Sequence, residues 1–359
     1  MTTATQFEIF VMPGEGIGPE TITEATELLK RAIQAGRVSA RVTELEVGEP
    51  AFARTGSYFP EDVRAKIDRA CDSPRAAILF GACANEPIGD LRKRADLFAN
   101  LRPIRAVPVL AGVSPLRDCV VADVDMVIVR ELVSSIYYGQ AREGATAGER
   151  WAGQEMYYRA SEVRRIVRFA FELAAQRRGL LTWVHKRNVI KGVFALWADA
   201  IDEQRANFPS VTVEDLHIDN MAMQMMLRPR HFDVVVAENM FGDILSEIGA
   251  GVVGSLGLVP SASFNHAGFA LYEPAGGTAP DLAGRQVANP IAALLAVALL
   301  CEHTFRMPAL ARAIENAISR VLIEYRTADI AESGTHTVST RELGQCIGET
   351  FETYVAESF

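Results

Sequence analysis

Apolar and polar positions along this chain follow two rhythms. Short apolar or alternating runs read as strands: QFEIFVM at 6–12, RVSARVTELEV at 37–47, AAILF at 76–80, MVIVRE at 126–131, LLTWVH at 180–185 and FDVVVA at 232–237. Between them, apolar residues recur at every third or fourth position, the spacing of a helix with one buried face. That spacing predicts helices over 19–36, 161–179 and 339–355. Pro19 suits the first turn of the first helix and Gly36 its end. Ser161 is placed to cap the second, and Ser339-x-x-Glu342 has the form of a capping box at the third. IAALLAVALLC at 291–301 is apolar on every face and far too short to span a bilayer, so it reads as a buried helix. The stretch 139–157 is polar and Gly-rich and predicts an exposed loop or arm. Strands alternating with helices imply an α/β protein with a parallel sheet.

Composition narrows the picture. A chain of 359 residues with 49% hydrophobic and 23% charged positions can fill two domains or one large α/β domain. Its N-terminus lacks the basic-then-apolar layout of a signal peptide. The five cysteines are odd in number and lack C-x-x-C spacing, which favours reduced thiols in a cytoplasm over zinc or disulfides. A formal charge of −9 disfavours nucleic acid and anionic membranes as partners. An anionic substrate would need a local basic island.

Candidate chemistry gathers at a few points. In ENMFGDILSEIGAG at 238–251, Asp243 and Glu247 lie one helical turn apart and share a face. Asp219 ends the β-like run VTVEDLHID, and three carboxylates on adjacent elements suit Mg²⁺ or Mn²⁺. The alternative is a solvated acidic helix face. The loop MPGEGIGPE at 12–20 joins a strand to a helix, a setting for phosphate or cofactor contact or simply a tight turn. Its glycines do not have the G-x-G-x-x-G spacing of the dinucleotide fingerprint. LRKRADLFANLRPIR at 91–105 supplies Arg92, Arg102 and Arg105, and with Arg130 could grip carboxylates in bidentate fashion. Lys93 and Arg94 read as solvated. Lys186 and Tyr137 follow strand-like runs and could serve acid/base chemistry near a metal. His185 and His217 read as structural, and the methionines of MAMQMM at 221–226 as packed helix.

Together, MPGEGIGPE, DLFANLRP, VREL followed by SIYYG, HKRNV, IDNMAMQ, NMFGDILSE, GSLGLVPSAS, EPAGGTAPDLAG and ANP resemble, in order, the β-decarboxylating dehydrogenases of the isocitrate/isopropylmalate family. The resemblance runs from Glu8 to the last helix and looks closest to the isopropylmalate branch. It implies a doubly wound α/β fold of two domains, distinct from the Rossmann fold. The expected division is a cofactor-binding domain from 1–97 plus 255–359, and a substrate and dimerisation domain from 98–254 with an arm near 139–160. It also implies NAD, a divalent metal (Mg²⁺ or Mn²⁺), and a cytoplasmic homodimer whose active sites are shared between subunits. Asp219, Asp243 and Glu247 match the metal carboxylates, with Asp219 and Lys186 reaching the site from the partner. Arg92, Arg102 and Arg130 match the arginines that hold the malate carboxylates. Lys186 matches the group that takes the C2 hydroxyl proton, with Asp219 beside it, and Tyr137 the acid that protonates the product enolate. Gly14, Glu273, Gly276, Gly277, Ala279, Asp281 and Asn289 match the cofactor side, Asp281 at the position that selects NAD over NADP.

Three departures from the family pattern fall in the specificity region or the metal set. The segment between Gly81 and Arg92 is short, and Ile88 and Gly89 stand where isopropylmalate enzymes carry two bulky apolar residues of the substrate pocket. VSS at 133–135 replaces the usual Thr-Gly-Gly, and Glu247 replaces an Asp. The expected activity is therefore oxidative decarboxylation of a 3-substituted malate, with 3-isopropylmalate as default. The alternatives are the same chemistry on another C3 substituent, as in isocitrate, homoisocitrate or tartrate, and a non-catalytic regulatory subunit.

Overall fold

The computed structural model describes residues 6–84 and 87–358. The chain divides into two compact units. The first comprises the chain up to Leu97, Ala106–Asp118 and the chain from Val253 onward; the second comprises Phe98–Arg105 and Cys119–Val252. The division that the resemblance implies puts 106–118 in the second unit. That segment instead packs in the first, where the Arg326 guanidinium donates to the Val109 carbonyl at 2.6 Å.

In the first unit, strands run in the order Ala40–Glu44, Phe7–Met12, Ala76–Phe80, Ala270–Pro274, Pro260–Phe264. All neighbours are parallel except the last pair. Ala76–Phe80 is buried at every position, as a central parallel strand must be. The apolar stretch at 291 forms the helix Ile291–His303, buried nearly all round. Helix Gly18–Ala35 carries its proline in the first turn and ends at Gly36. The last helix, Thr340–Ser358, starts with a reciprocal box: Glu342 accepts from the Ser339 N–H at 2.8 Å, and Ser339 Oγ accepts from the Glu342 N–H at 3.2 Å.

In the second unit, the order is Ala99–Arg105, Asp125–Glu131, Val234–Ala237, Leu180–His185, Thr212–His217, with only the first pair antiparallel. Three local expectations change here. Helix Ala160–Gln176 begins one residue before Ser161, and Glu162 reaches back to the Arg159 N–H at 2.7 Å, so the reach-back half of a capping box replaces the serine cap. The stretch 139–157 takes the arm form of its expectation, as an exposed antiparallel ribbon, Ala141–Thr146 against Glu149–Gln154. The strand leading to Asp219 ends at His217, and Asp219 lies in the first turn of helix Ile218–Leu227. Only half of that helix's methionines are core: Met221 and Met225 are buried, while Met223 and Met226 are exposed.

A buried ion pair fastens one end of the second unit. Asp233, with no exposed surface, accepts from Arg177 Nε at 2.7 Å and from the Arg178 N–H at 2.8 Å. The Arg177 guanidinium also donates to Asp125 at 3.0 Å. Arg177→Met should leave the Asp233 charge buried and half-satisfied, costing about 3 kcal/mol. A urea titration reads this as a lower midpoint, and an unshifted midpoint contradicts it.

Among the described residues, no helix is long and apolar enough to cross a membrane.

Candidate active site

In the second unit, chemistry centres on the helix Asn239–Val253, which follows directly from strand Val234–Ala237. Asp243 sits in its second turn and is shared by two partners. One carboxylate oxygen takes a short contact from the Arg130 guanidinium, and the other accepts from the Tyr137 hydroxyl at 2.6 Å. Arg130, at the end of strand Asp125–Glu131, is itself buried and aimed by Asn239, whose Oδ1 accepts from its Nε at 2.9 Å. Its guanidinium also lies 5.5 Å from the Tyr137 ring centroid. Burial, and then the Asp243 carboxylate, push the Tyr137 hydroxyl up to about 12, so it keeps its proton at neutral pH. Such a group can donate a proton but cannot act as a resting base.

Lys186 and Asp219 form a second cluster in the same unit, joined by a short ion pair. Lys186 follows the buried strand Leu180–His185. Asp219 stands 68% exposed, and the Lys186 ammonium holds its carboxyl below the usual range. His185 is buried, with its Nε2 2.9 Å from Asp215, and its ring meets His217 edge-on at 4.8 Å. Arg102 is buried beside Asn100, whose Oδ1 accepts from its Nε at 3.0 Å.

Asp243 and Glu247 offer hard oxygens one helical turn apart, which suits Mg²⁺ or Mn²⁺ but leaves coordination incomplete. Among the described residues, no three acidic, histidine or cysteine side chains gather tightly enough to hold a metal. Asp219 therefore does not complete an all-carboxylate site with Asp243 and Glu247 within one chain.

In the first unit, the loop after strand Phe7–Met12 fits tightly against its neighbours. A Cβ on Gly14, at φ +75°, would stand 2.2 Å from the Ala82 carbonyl oxygen. One on Gly16, at φ +60°, would stand 2.0 Å from that of Thr278. Only glycine allows both backbone conformations and both approaches. The Ile17 N–H donates to Thr278 O at 2.9 Å, tying this loop to the segment 274–289. Those two segments, with Leu256 and Gly257, line a mostly apolar cavity of about 250 Å³ that includes Gly276, Gly277, Ala279 and Asn289. A Cβ at Gly277 would meet nothing within 4 Å, so the bare backbone faces open space. A flat aromatic base with a polar edge fits this lining, since Asn289 and Asp329 supply the polar groups. Asp281 lies exposed in the same segment.

Arg92 belongs to this first unit, on helix Pro87–Arg94, and donates to Glu273 at 3.1 Å. Ile88 of the same helix packs partly against the hydrophobic core, while a Cβ at Gly89 would find open space. Arg94, read as solvated, pairs with Asp68 at 2.8 Å, and Arg105 pairs with Asp125 at 3.6 Å.

Several neighbours of these residues have partners that the sequence does not announce. Asp329 accepts from Asn289, Ser255 and Thr327. Glu238, Asn239, Ser134, Ser135 and Tyr158 form a buried network under the Tyr137 turn. An acid between a run of valines and a helix start, as in VVVAENMF, is the one cue available for Glu238.

The chain matches the isocitrate/isopropylmalate dehydrogenase family over residues 8–347. It belongs to that family. It is 41% identical to the 3-isopropylmalate dehydrogenase of Moorella thermoacetica, covering 96% of this chain and 99% of that protein. Identity to the 3-isopropylmalate dehydrogenase of Aquifex aeolicus is 42%, over 97% and 98% of the two chains. Among solved structures, isocitrate dehydrogenase from Methylococcus capsulatus superposes with a TM-score of 0.86 at 29% identity, covering 96% of this chain and 99% of that one. A β-decarboxylating dehydrogenase from Thermococcus kodakarensis gives 0.79 at 30% identity, with 97% of each chain covered. The chain is therefore an enzyme of the β-decarboxylating dehydrogenase type, with the α/β fold that the resemblance implied. Dehydrogenases of this family use a nicotinamide cofactor and a divalent metal.

Proposed function

We propose that this enzyme catalyses the NAD-dependent, Mg²⁺- or Mn²⁺-dependent oxidative decarboxylation of 3-isopropylmalate to a 2-oxo acid. The observation that supports it most is Asp243, a single carboxylate bonded to both a fixed guanidinium and a protonated phenol. Full-length similarity to 3-isopropylmalate dehydrogenases favours isopropyl over other C3 groups.

Asp243 and Glu247 would hold the cation, with Asp219 supplied by a second copy in a homodimer. When bound, the cation would acidify the C2 hydroxyl and draw electron density from the breaking C–C bond, while NAD accepts the hydride. Lys186, once its amine has released its own proton to water, takes the hydroxyl proton, and the Asp219 carboxylate beside it orients that side chain. Arg130 and Arg102 hold carboxylates with charges that do not titrate, and Arg92 is the third guanidinium that the family match assigns to that task. Tyr137 returns a proton to C3 after CO₂ departs. Gly14, Glu273, Gly276, Gly277, Ala279 and Asn289 bound the cofactor side, and Gly89 leaves room beside the C3 group.

The test is stoichiometry: metal-loaded enzyme should release one CO₂ per NADH from 3-isopropylmalate and form neither after chelation. NADH without CO₂ would contradict the decarboxylation.

Asp281 would accept from the ribose 2′-OH and repel a 2′-phosphate. Asp281→Lys should therefore lower kcat/KM for NAD and raise it for NADP, each by about tenfold. Paired initial-rate measurements check this, and an unchanged ratio removes Asp281 from cofactor choice.

A further inference from the structure

Ser135 is the residue in the second unit whose backbone and side chain are hardest to reconcile with a mere turn. It is a non-glycine residue at φ +78°, in the left-handed region that favours glycine, and it is 1% exposed. Its hydroxyl donates to Glu238 Oε2 at 2.6 Å. Glu238 is wholly buried, and among the described residues its hydrogen-bond partners include no cation. Its carboxylate instead accepts from the Met240 and Phe241 N–H groups at 3.2 and 2.8 Å and from the Tyr158 hydroxyl at 3.3 Å. It thus caps the helix that carries Asp243 and Glu247.

The turn is tied down from other sides as well. The Ser135 N–H donates to Tyr157 O at 3.1 Å, and Asn239 Nδ2 donates to Ser134 O at 3.0 Å. Glu131 accepts from the Val133 and Ser134 N–H groups. Two residues beyond Ser135, Tyr137 reaches Asp243 of the capped helix. One hydroxyl therefore bridges the start of the helix and the turn that presents the phenol.

We propose that Ser135 is a positioning residue for the proton-returning step: its bond to Glu238 fixes the Tyr137 turn against the Asp243 helix. This rests on Tyr137 as the proton donor. A short hydrogen bond to a buried carboxylate is strong enough to hold a side-chain oxygen in a strained backbone, because losing it leaves Glu238 Oε2 with only the longer bonds from Met240 and Tyr158.

The experiment compares Ser135→Gly, Ser135→Ala and Tyr137→Phe in the full-length metal-loaded enzyme, with substrate carrying hydrogen or deuterium at C2. If the hydroxyl positions Tyr137, both Ser135 variants lose about tenfold in kcat, as small misplacements of a reacting group do, with KM for NAD unchanged. The deuterium effect on kcat should also fall toward unity, since the step after hydride transfer becomes limiting. A purely backbone role predicts instead that glycine restores wild-type kcat while alanine does not, which would overturn the proposal. So would a kcat loss with an undiminished isotope effect. If Tyr137→Phe itself leaves kcat unchanged, the reading of Tyr137 fails. If that variant is slow and the Ser135 variants are not, only the positioning role fails. Thermal melts of each variant separate both results from unfolding.

Discussion

Lys186→Ala is expected to lower kcat by at least about 10³-fold while the fold survives, because a positioned base contributes on this scale. Among the described residues, the ion-pair partner of its side chain is the exposed Asp219. Removing it therefore deletes the base and frees a carboxylate that water can solvate at little cost. Circular dichroism should be unchanged, and NAD affinity intact. Wild-type turnover in this variant would move the base elsewhere, and a collapsed spectrum would make Lys186 structural.

Asp243→Asn should be comparably severe, on the order of 10³-fold in kcat, for a different reason. The carboxylate is the common acceptor of Arg130 and Tyr137, and Arg130 is buried. An amide keeps the shape but removes the charge that balances the guanidinium and would hold the cation. Titration of Mn²⁺ binding by electron paramagnetic resonance should show weakened affinity in step with the lost activity. Unaltered Mn²⁺ affinity would exclude Asp243 from the metal site.

pH dependence gives a gentler prediction. Burial, the largest influence, raises the Glu131 carboxyl to about 7, against two backbone donors that lower it. Its folded value thus exceeds its unfolded one, so the stability it lends is full below the ordinary carboxylate range. That contribution fades as pH rises through about 7. Denaturation midpoints should decline over this window, and Glu131→Gln should flatten the decline. An equal slope in both proteins contradicts the assignment.

Local periodicity carried much of the fold. AAILF and LLTWVH become strands with the bounds their patterns predict, because full burial in a parallel sheet demands continuous apolar runs. The Ser339 box forms because both partners lie within one turn. Misses came where competition was local but subtle. Glu162 outcompetes Ser161 for the helix start. Spacing alone also put Asp219 at a strand end, whereas its strand closes two residues earlier and a helix begins.

The candidate site was legible in a different way. Asp243 and Glu247 follow from helical spacing, but Tyr137 and Asp243 are 106 residues apart, and nothing in the periodicity joins them. Their pairing depends on the sheet order, which sets the strand of Arg130 beside the strand that leads into the Asp243 helix. The bond between Glu238 and Ser135 stayed silent for the same reason: VSS at 133–135 stands out as a departure, but its partner lies 103 positions away.

The most direct measurement is NADH formation with Mg²⁺ on 3-isopropylmalate, run beside malate, tartrate, isocitrate and malates with larger C3 groups. 3-Isopropylmalate should show the highest kcat/KM of the panel, with a strict need for the metal. No NADH from any member of the panel, or a clear preference for a rival C3 group, would contradict the proposed activity.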